Sequence, residues 1–205
     1  MTMKKNVSIL LSFSLAAFSA FTSCKKDSAS AVVAPLTATN KTNFVADATI
    51  NANHFAFFSL ERNEEVPYSD SATNKWDIAF RSTTILTNGG TSGPASGGAF
   101  VQRAVTFDNY ATIQPDSVFA TDASTVPAYA IPTGSGNGWY NYNFSTNIIS
   151  PIPGNIIIVR TASGKYAKLE ILSYYKDAPA TPTVSDVARY YTFRFIYQPN
   201  GTKTF

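Results

Sequence analysis

Large apolar side chains recur at every second position in several segments of this chain. In the stretch KWDIAFR (residues 75–81), Trp76, Ile78 and Phe80 share one face of an extended backbone, which indicates a strand with one buried side and places Trp76 in the core. A second apolar segment ends at residue 107, and a glycine-rich loop (residues 88–98) lies between the two. This composition predicts two strands joined by a long hairpin-like connection, with partner strands supplied by the rest of the chain.

Five other segments carry strand patterns: residues 54–60, 139–144, 155–160, 165–175 and 189–197. The third of these (NIIIVR) is continuously apolar, as expected of a central strand that is covered on both faces. The segment 108–138 carries three prolines and the run GSGNG without a clear period, so it is predicted to be mostly loop. Beyond the first 23 residues, no window of 11 residues shows a helical period. The predicted fold class is therefore all-β, with a single domain of antiparallel sheet.

Two of these strands allow individual side chains to be assigned to faces. In residues 165–175, Ala167, Leu169 and Ile171 face one way, while Lys168 and Glu170 take the opposite, polar face. In the last strand, four aromatic residues share one face: Tyr191, Phe193, Phe195 and Tyr197. Both patterns predict strands with one side in the core.

The first 23 residues have the organisation of an export signal. Lys4 and Lys5 precede an apolar run of about 15 residues (residues 7–21), which is too short to span a bilayer as a permanent helix. The segment Phe21-Thr22-Ser23-Cys24 that follows resembles the lipobox of bacterial lipoproteins, in which the cysteine is acylated and becomes the mature N-terminus. Cys24 is the only cysteine, which agrees with lipid attachment and excludes an intramolecular disulfide. Ordinary signal cleavage beside a coincidental cysteine is the alternative.

The chain is thus predicted to have three parts: a lipoprotein signal peptide (1–23), a flexible tether (24–42) and a β-domain (43–205). The tether is rich in small and β-branched residues without an amphipathic period, which is typical of a linker between membrane and domain. Removing 23 of the 205 residues leaves 182, enough for one domain with a core. Without Lys4 and Lys5, 14 of the 16 basic residues remain against 13 acidic ones, which argues against nucleic acid as a partner.

The residues that most enzyme mechanisms require are scarce. His54 is the only histidine and no G-x-S-x-G elbow is present, so a Ser-His-Asp triad is not indicated. With Cys24 assigned to lipid, zinc sites built from Cys and His are excluded, and the glycine loop lacks the Gly-Lys-Ser/Thr ending of a phosphate-binding loop. Glu64 and Glu65 are assigned to a polar turn (residues 61–65) and interpreted as solvated. The sequence predicts a protein that is not an enzyme, although carboxylates alone do not exclude glycan hydrolysis.

Several short motifs are shared with a known family. In the N-terminal half they are FFSL (57–60), EEV (64–66), WDIA (76–79), TNG (87–89), SG (92–93) and GGA (97–99), and in the C-terminal half IIVR (157–160), Gly164, YAKL (166–169), YY (174–175) and YQP (197–199). Together they resemble the HmuY-like haemophore lipoproteins, over about residues 55–199. The resemblance implies an all-β fold, a lipid anchor at the outer membrane, and capture of haem for delivery to a TonB-dependent receptor.

The same resemblance indicates where a haem ligand would lie. Founding members hold the iron between two axial His or Met side chains, one in the irregular region after the glycine loop and one just after the strand that matches residues 139–144. Here the region 108–138 contains neither His nor Met, and Thr146 stands at the second position. Haem iron also accepts tyrosine, which leaves Tyr129, Tyr140 and Tyr142 as candidate axial ligands. Six-coordinate haem of the founding kind is not expected.

Two hypotheses about function remain open. The first is capture of haem or another porphyrin, held mainly by aromatic stacking and burial, by a lipoprotein on the cell-surface side of the outer membrane. Its candidate ligand-binding residues are Tyr129, Tyr140, Tyr142 and Thr146. The second is a structural or interaction lipoprotein that docks a membrane receptor or partner without binding a tetrapyrrole. The 11 tyrosines suit both hypotheses, since paired tyrosines serve equally as the rim of a core and as a platform for a flat aromatic ligand.

Overall fold

The computed structural model of the chain describes residue 2 and residues 35–47, 49–124 and 128–205. Cys24 and, apart from residue 2, the predicted signal peptide lie outside the described residues, as does the predicted tether up to residue 34. Within these ranges the chain forms one 3-10 helix (Tyr68–Asp70) and eleven strands: β1 Thr39–Val45, β2 Ala56–Ser59, β3 Glu64–Val66, β4 Ile78–Arg81, β5 Thr84–Thr87, β6 Gly98–Gln102, β7 Tyr140–Asn143, β8 Ile148–Pro151, β9 Ile156–Arg160, β10 Tyr166–Tyr175 and β11 Ala188–Gln198. The all-β prediction is confirmed.

The strands form two main sheets and a separate hairpin, and every paired strand is antiparallel to its neighbour. The larger sheet has the order β1-β11-β10-β9-β6, the smaller sheet has the order β3-β2-β4-β5, and β7 pairs with β8. Side chains from both sheets share the largest buried cluster, in which the Phe80 ring of β4 stacks on Phe193 of β11 at 5.5 Å between centroids. The two sheets therefore pack face to face around an aromatic core.

Strand β9 is buried on both faces, as its continuous apolar run predicts. Ile157 and Val159 belong to the main core, while Ile156 and Ile158 belong to a second cluster on the opposite face of the sheet. The second cluster also contains Ile196 of β11 and three residues from the start of the irregular segment or directly before it: Phe107, Tyr110 and Ile113. The segment 108–138 is mostly loop, as predicted, and part of it covers the outer face of the larger sheet.

The glycine-rich loop has the predicted hairpin-like form at its own ends, where Gly89 and Ser96 form an antiparallel bridge, but the strands that flank it, β5 and β6, lie in different sheets. Strands β4 and β5 already form a tight hairpin through Ser82 and Thr83, while β6 pairs with β9 in the other sheet. Ser82 takes a φ of 51°, a conformation that glycine or asparagine usually occupies. Because the turn contains neither glycine nor proline, the sequence does not indicate it. Gly89 is required in the connection because a Cβ there would lie 2.1 Å from the carbonyl oxygen of Gly97.

Trp76 is fully buried, as predicted, but on the other side of the smaller sheet from Ile78 and Phe80. It precedes β4, and its ring packs against Phe57 at 4.9 Å in a cluster that covers the outer face of the sheet. The period of two breaks at Asp77, whose carboxylate is buried and accepts hydrogen bonds from backbone N–H groups. Burial raises the pKa of Asp77, while these donors act in the opposite direction.

Two polar assignments made from the sequence pattern also differ in the structure. Glu64 and Glu65 lie in β3 and not in a turn, since the chain reverses over residues 60–63 with Asn63 in a left-handed conformation. Lys168, predicted on a polar face, is buried. Its Nζ donates to two carbonyl oxygens of the irregular segment, Phe107 O at 2.7 Å and that of Tyr110 at 2.8 Å. The ammonium therefore holds this segment against the sheet, and burial lowers its pKa.

The first strand begins before the predicted domain boundary. Residues 39–42, assigned from the sequence to the tether, form the first half of β1 and pair with β11. Leu36 and Ala38 already pack against the second apolar cluster. The folded part therefore extends N-terminally of residue 43, because β11 is 11 residues long and offers a pairing edge there.

Candidate ligand-binding cleft

A cleft of about 290 Å³ lies between the β7–β8 hairpin and the connection from β10 to β11. Its lining comes from four parts of the chain: Ser82 of the β4–β5 turn, Asn147 and Ile149 of the hairpin, Tyr174 and Tyr175 at the end of β10, and Thr183, Val184, Asp186, Ala188 and Arg189 of the connection and the start of β11. This volume is at the lower end of the range for small-molecule sites. A ligand larger than the cleft would therefore extend over its rim.

The floor of the cleft is aromatic and is held by the β4–β5 turn. Tyr191 donates its hydroxyl proton to the carbonyl oxygen of Ser82 at 2.8 Å, and the hydroxyl of Tyr174 lies 3.3 Å from Ser82 Oγ. Trp139 packs on both tyrosines and donates its indole N–H to the carbonyl oxygen of Thr83 at 3.0 Å. Burial raises the pKa of Tyr174 and that of Tyr191, which disfavours ionisation of both phenols.

The hairpin forms one wall, and its turn is fixed by hydrogen bonds. Tyr142 donates its hydroxyl proton to Asn147 Oδ1 at 2.5 Å, across the turn that joins β7 to β8. Asn147 has a φ of 55°, which asparagine tolerates better than most residues. Below the turn, the hydroxyl of Tyr175 accepts the backbone N–H of Ile149 at 3.0 Å. This contact attaches the hairpin to β10, so the wall is held by the larger sheet.

The opposite wall carries both charged side chains of the lining, Asp186 and Arg189. Arg189 Nη1 lies 3.0 Å from Asp47 Oδ2, and the Asp47 carboxylate also accepts the backbone N–H of Thr49 at 2.7 Å. The hydrogen bond from Arg189 is the main reason why the pKa of Asp47 is lowered, so this carboxylate stays ionised at neutral pH. The guanidinium is half-exposed and is oriented by a charged partner outside the cleft lining.

The structure brings three of the four sequence-predicted ligand-binding residues onto the hairpin. Tyr142 is half-buried beside the cleft, and Thr146 is exposed in the turn next to the lining residue Asn147. Tyr140 lies beneath them, with its ring 4.9 Å from that of Trp139. Tyr129 is elsewhere, because it packs against the cluster that contains Trp76 on the outer face of the smaller sheet. Cys24, the predicted lipid attachment site, lies outside the described residues.

Sequence reasoning missed Arg189 and left the tyrosine pair Tyr174-Tyr175 without a role beyond the family motif. The tyrosine pair ends a long strand and could have been recognised as a candidate from its position before a proline-containing connection. Arg189 could not, because its place in the cleft depends on a φ of 68° and on a bend of β11 that leaves no mark in the sequence.

The other candidate features of the described residues lie apart from this cleft. No group of three or more His, Cys, Asp or Glu side chains is placed to hold a metal ion within residues 35–47, 49–124 and 128–205. His54 lies at a separate cavity of about 210 Å³, where its ring stacks on Tyr68 at 3.4 Å between centroids. A third depression, of about 480 Å³, borders the glycine loop and is lined mainly by small residues. In the same part of the chain, no helix is long and apolar enough to cross a membrane.

Comparisons with known proteins agree on the family and the fold. Residues 51–195 match the family described as HmuY protein. A solved structure of an apo HmuY analog from Tannerella forsythia has a TM-score of 0.53 at 15% identity, covering 82% of this chain and 99% of its own. The structure of a presumed HmuY-like heme-binding protein from Bacteroides vulgatus has a TM-score of 0.51 at 17% identity, covering 78% of this chain and 91% of its own. The structure of a presumed lipoprotein from Bacteroides fragilis has a TM-score of 0.50 at 17% identity, covering 79% of this chain and 91% of its own. No curated protein sequence matches the chain significantly.

Proposed function

Because this chain belongs to the HmuY family, we propose that it is a binding lipoprotein that captures haem or another porphyrin at the cleft beside the β7–β8 hairpin. It has no catalytic role. In this proposal Cys24 carries the lipid anchor, the protein lies on the cell-surface side of the outer membrane, and a TonB-dependent receptor receives the ligand. The bound ligand is cargo, which the protein passes on to the receptor.

The observation that carries this proposal is the aromatic character of the cleft without a strong iron ligand in its lining. Tyr174 and Tyr175 line it and Tyr142 borders it, whereas its ten lining residues include neither His nor Met. Burial raises the pKa of Tyr174, which disfavours the phenolate form that would bind ferric iron. Tyr174 and Tyr175 are buried and form the base of the cleft, whereas Tyr142 is half-buried at its border. In this proposal a porphyrin covers the base and contacts Tyr142, with little dependence on the metal.

This proposal predicts that haemin and iron-free protoporphyrin IX bind the purified domain with similar affinity and with one site each. Calorimetric titration of both compounds measures this directly. Tyr142→Ala should weaken both by about 2–10-fold, since an aromatic contact contributes about 0.5–1.5 kcal/mol. Tyr129→Ala is the matched control, because Tyr129 lies in a different cluster, and it should leave both affinities unchanged. Absence of saturable binding of either porphyrin would contradict the proposal.

A second prediction concerns the position at which founding members carry an axial ligand. Thr146→His places an imidazole on the exposed turn beside the cleft and should strengthen haemin binding by about tenfold or more, or ~1.4 kcal/mol. The visible spectrum should shift toward a nitrogen-ligated form. The affinity for protoporphyrin IX should not increase, because this compound has no iron to coordinate. Ser145→His, one residue earlier in the same turn, is the control and should not give this gain. An equal gain in affinity for both porphyrins with Thr146→His would show that coordination of iron is not the cause.

The alternative function, docking of a membrane partner without a tetrapyrrole, is favoured by exposed apolar side chains around the cleft. Phe144 at the tip of the hairpin is 82% exposed, and Val184 in the β10–β11 connection is 73% exposed. Apolar side chains that project from neighbouring loops are typical of interaction sites. A receptor that removes the ligand would contact this same rim, so partner docking and ligand capture are compatible at one end of the molecule.

A further inference from the structure

Resting on the proposed function, we infer that Arg189 makes the cleft selective for flat aromatic ligands that carry a carboxylate. Haem and protoporphyrin IX are members of this chemical class, while their esters and neutral polycyclic aromatic compounds are not. The inference identifies Arg189 as a specificity-determining residue, which acts on the acid group of the ligand and not on the metal.

The backbone of β11 is distorted where Arg189 enters the cleft. Ser173 pairs with Thr192 and Tyr175 pairs with Ala188, so one residue of β10 lies opposite three residues of β11. This irregularity is a bulge, and bulges re-aim side chains beside functional sites. Arg189 has a φ of 68°, a strained value for a residue other than glycine. Its carbonyl oxygen accepts the backbone N–H of Ala46 at 2.8 Å, so the residue that follows β1 also holds the strained conformation.

The guanidinium is oriented but not consumed by its ion pair. Asp47 contacts Nη1 alone, and among the described residues no other carboxylate forms an ion pair with Arg189. A guanidinium has five N–H donors in a planar fork, which suits a second carboxylate. The side chain is 49% exposed and lines the cleft. Asp47, with a lowered pKa, stays charged and keeps the fork in place.

The other charged lining residue does not compete for the same role. Asp186 Oδ2 accepts two hydrogen bonds from Thr183, one from its backbone N–H at 2.7 Å and one from its hydroxyl at 2.9 Å. This carboxylate therefore closes a turn within the β10–β11 connection. Arg189 is then the one cationic side chain that lines the cleft, beside the base formed by the buried residues Tyr174 and Tyr175. A flat ring that covers this base, with its acid group toward Arg189, satisfies both features.

The test compares each acid with a neutral partner of the same ring system. Calorimetric or fluorescence titrations are run with protoporphyrin IX against its dimethyl ester, and with 1-pyrenecarboxylate against 1-pyrenemethanol. The wild-type domain should prefer the acid by about tenfold in both pairs, the effect expected for a hydrogen bond to a charged group. Arg189→Gln should abolish the preference. Arg194→Gln removes the same charge from the same strand, where Arg194 pairs with Glu170 at 2.7 Å, and should retain the preference.

The two compound pairs separate this inference from the proposed function. An Arg189-dependent preference in the pyrene pair without porphyrin binding supports the carboxylate selectivity and contradicts porphyrin capture. Porphyrin binding with equal affinity for acid and ester overturns the role of Arg189 and leaves porphyrin capture standing. If neither pair binds, both are overturned. Loss of the preference in Arg194→Gln as well would assign the effect to net charge, and the specific role of Arg189 would be wrong.

Discussion

Replacing Trp76 with alanine is expected to lower the free energy of unfolding by about 3–5 kcal/mol, the range for large aromatic truncations in cores. Trp76 is fully buried, packs on Phe57 and donates its indole N–H to the carbonyl oxygen of Ser71 at 2.8 Å. The replacement therefore removes apolar burial and one hydrogen bond, and leaves a cavity on the outer face of the smaller sheet. Urea denaturation monitored by circular dichroism measures the change, with the slope of the transition checked for constancy.

The matched control for this substitution is Phe144→Ala. Phe144 is also a large aromatic residue but is 82% exposed, so its removal should change stability by no more than about 0.5 kcal/mol. A loss below about 1 kcal/mol for Trp76→Ala would show that the outer cluster contributes little to folding. The smaller sheet would then be stabilised mainly by the aromatic core between the sheets.

The second large effect is expected for Asp77→Ala, at about 2–6 kcal/mol. Asp77 Oδ2 accepts the backbone N–H of Leu60 at 2.7 Å, and Oδ1 accepts that of Ala162 at 2.9 Å. Each buried donor left without a partner costs about 1–3 kcal/mol. Leu60 follows β2 in the smaller sheet, whereas Ala162 follows β9 in the larger one. The carboxylate thus connects the two sheets where β2 and β9 end. Two separate transitions in urea denaturation of the mutant would show the loss of this connection most directly.

Two further variants make the Asp77 prediction specific. Asp77→Asn retains the shape of the side chain and one acceptor oxygen, so its free energy of unfolding should lie between that of the wild type and that of Asp77→Ala. Asp116→Ala removes an exposed carboxylate from the irregular segment and should change stability by less than about 0.5 kcal/mol. If Asp77→Asn were as stable as the wild type, the hydrogen bonds of the second carboxylate oxygen would have no measurable role.

Patterns that depend on burial alone were predicted correctly from the sequence. The apolar run 155–160 becomes β9, buried on both faces, and the alternation after residue 189 becomes β11, with Tyr191, Phe193 and Phe195 in the core. The family was also accessible, because its motifs lie in strands and in the turns between them. These features follow from side-chain period and local turn composition, which every segment carries in its own residues.

The structure alone decided the features that depend on distant contacts. Lys168 occupies a position that its neighbours make polar, yet carbonyl oxygens about 60 positions earlier in the chain satisfy its ammonium and allow burial. Ser82 forms a tight turn in a left-handed conformation that its side chain does not signal, and this turn pairs β4 with β5 before the glycine loop begins. Propensity and period do not report such positions, because the stabilising partner lies far away in the chain.

The candidate cleft combines both kinds of information. The sequence by itself determined an all-β member of this family whose region 108–138 lacks His and Met and whose residue 146 is a threonine. Only the tertiary structure decided what surrounds that position, since Tyr191 reaches Ser82 across 109 residues and Arg189 reaches Asp47 across 142. Hydrogen bonds of this range form only after the sheets pack, so the floor and the charged wall of the cleft are properties of the folded domain and not of any segment.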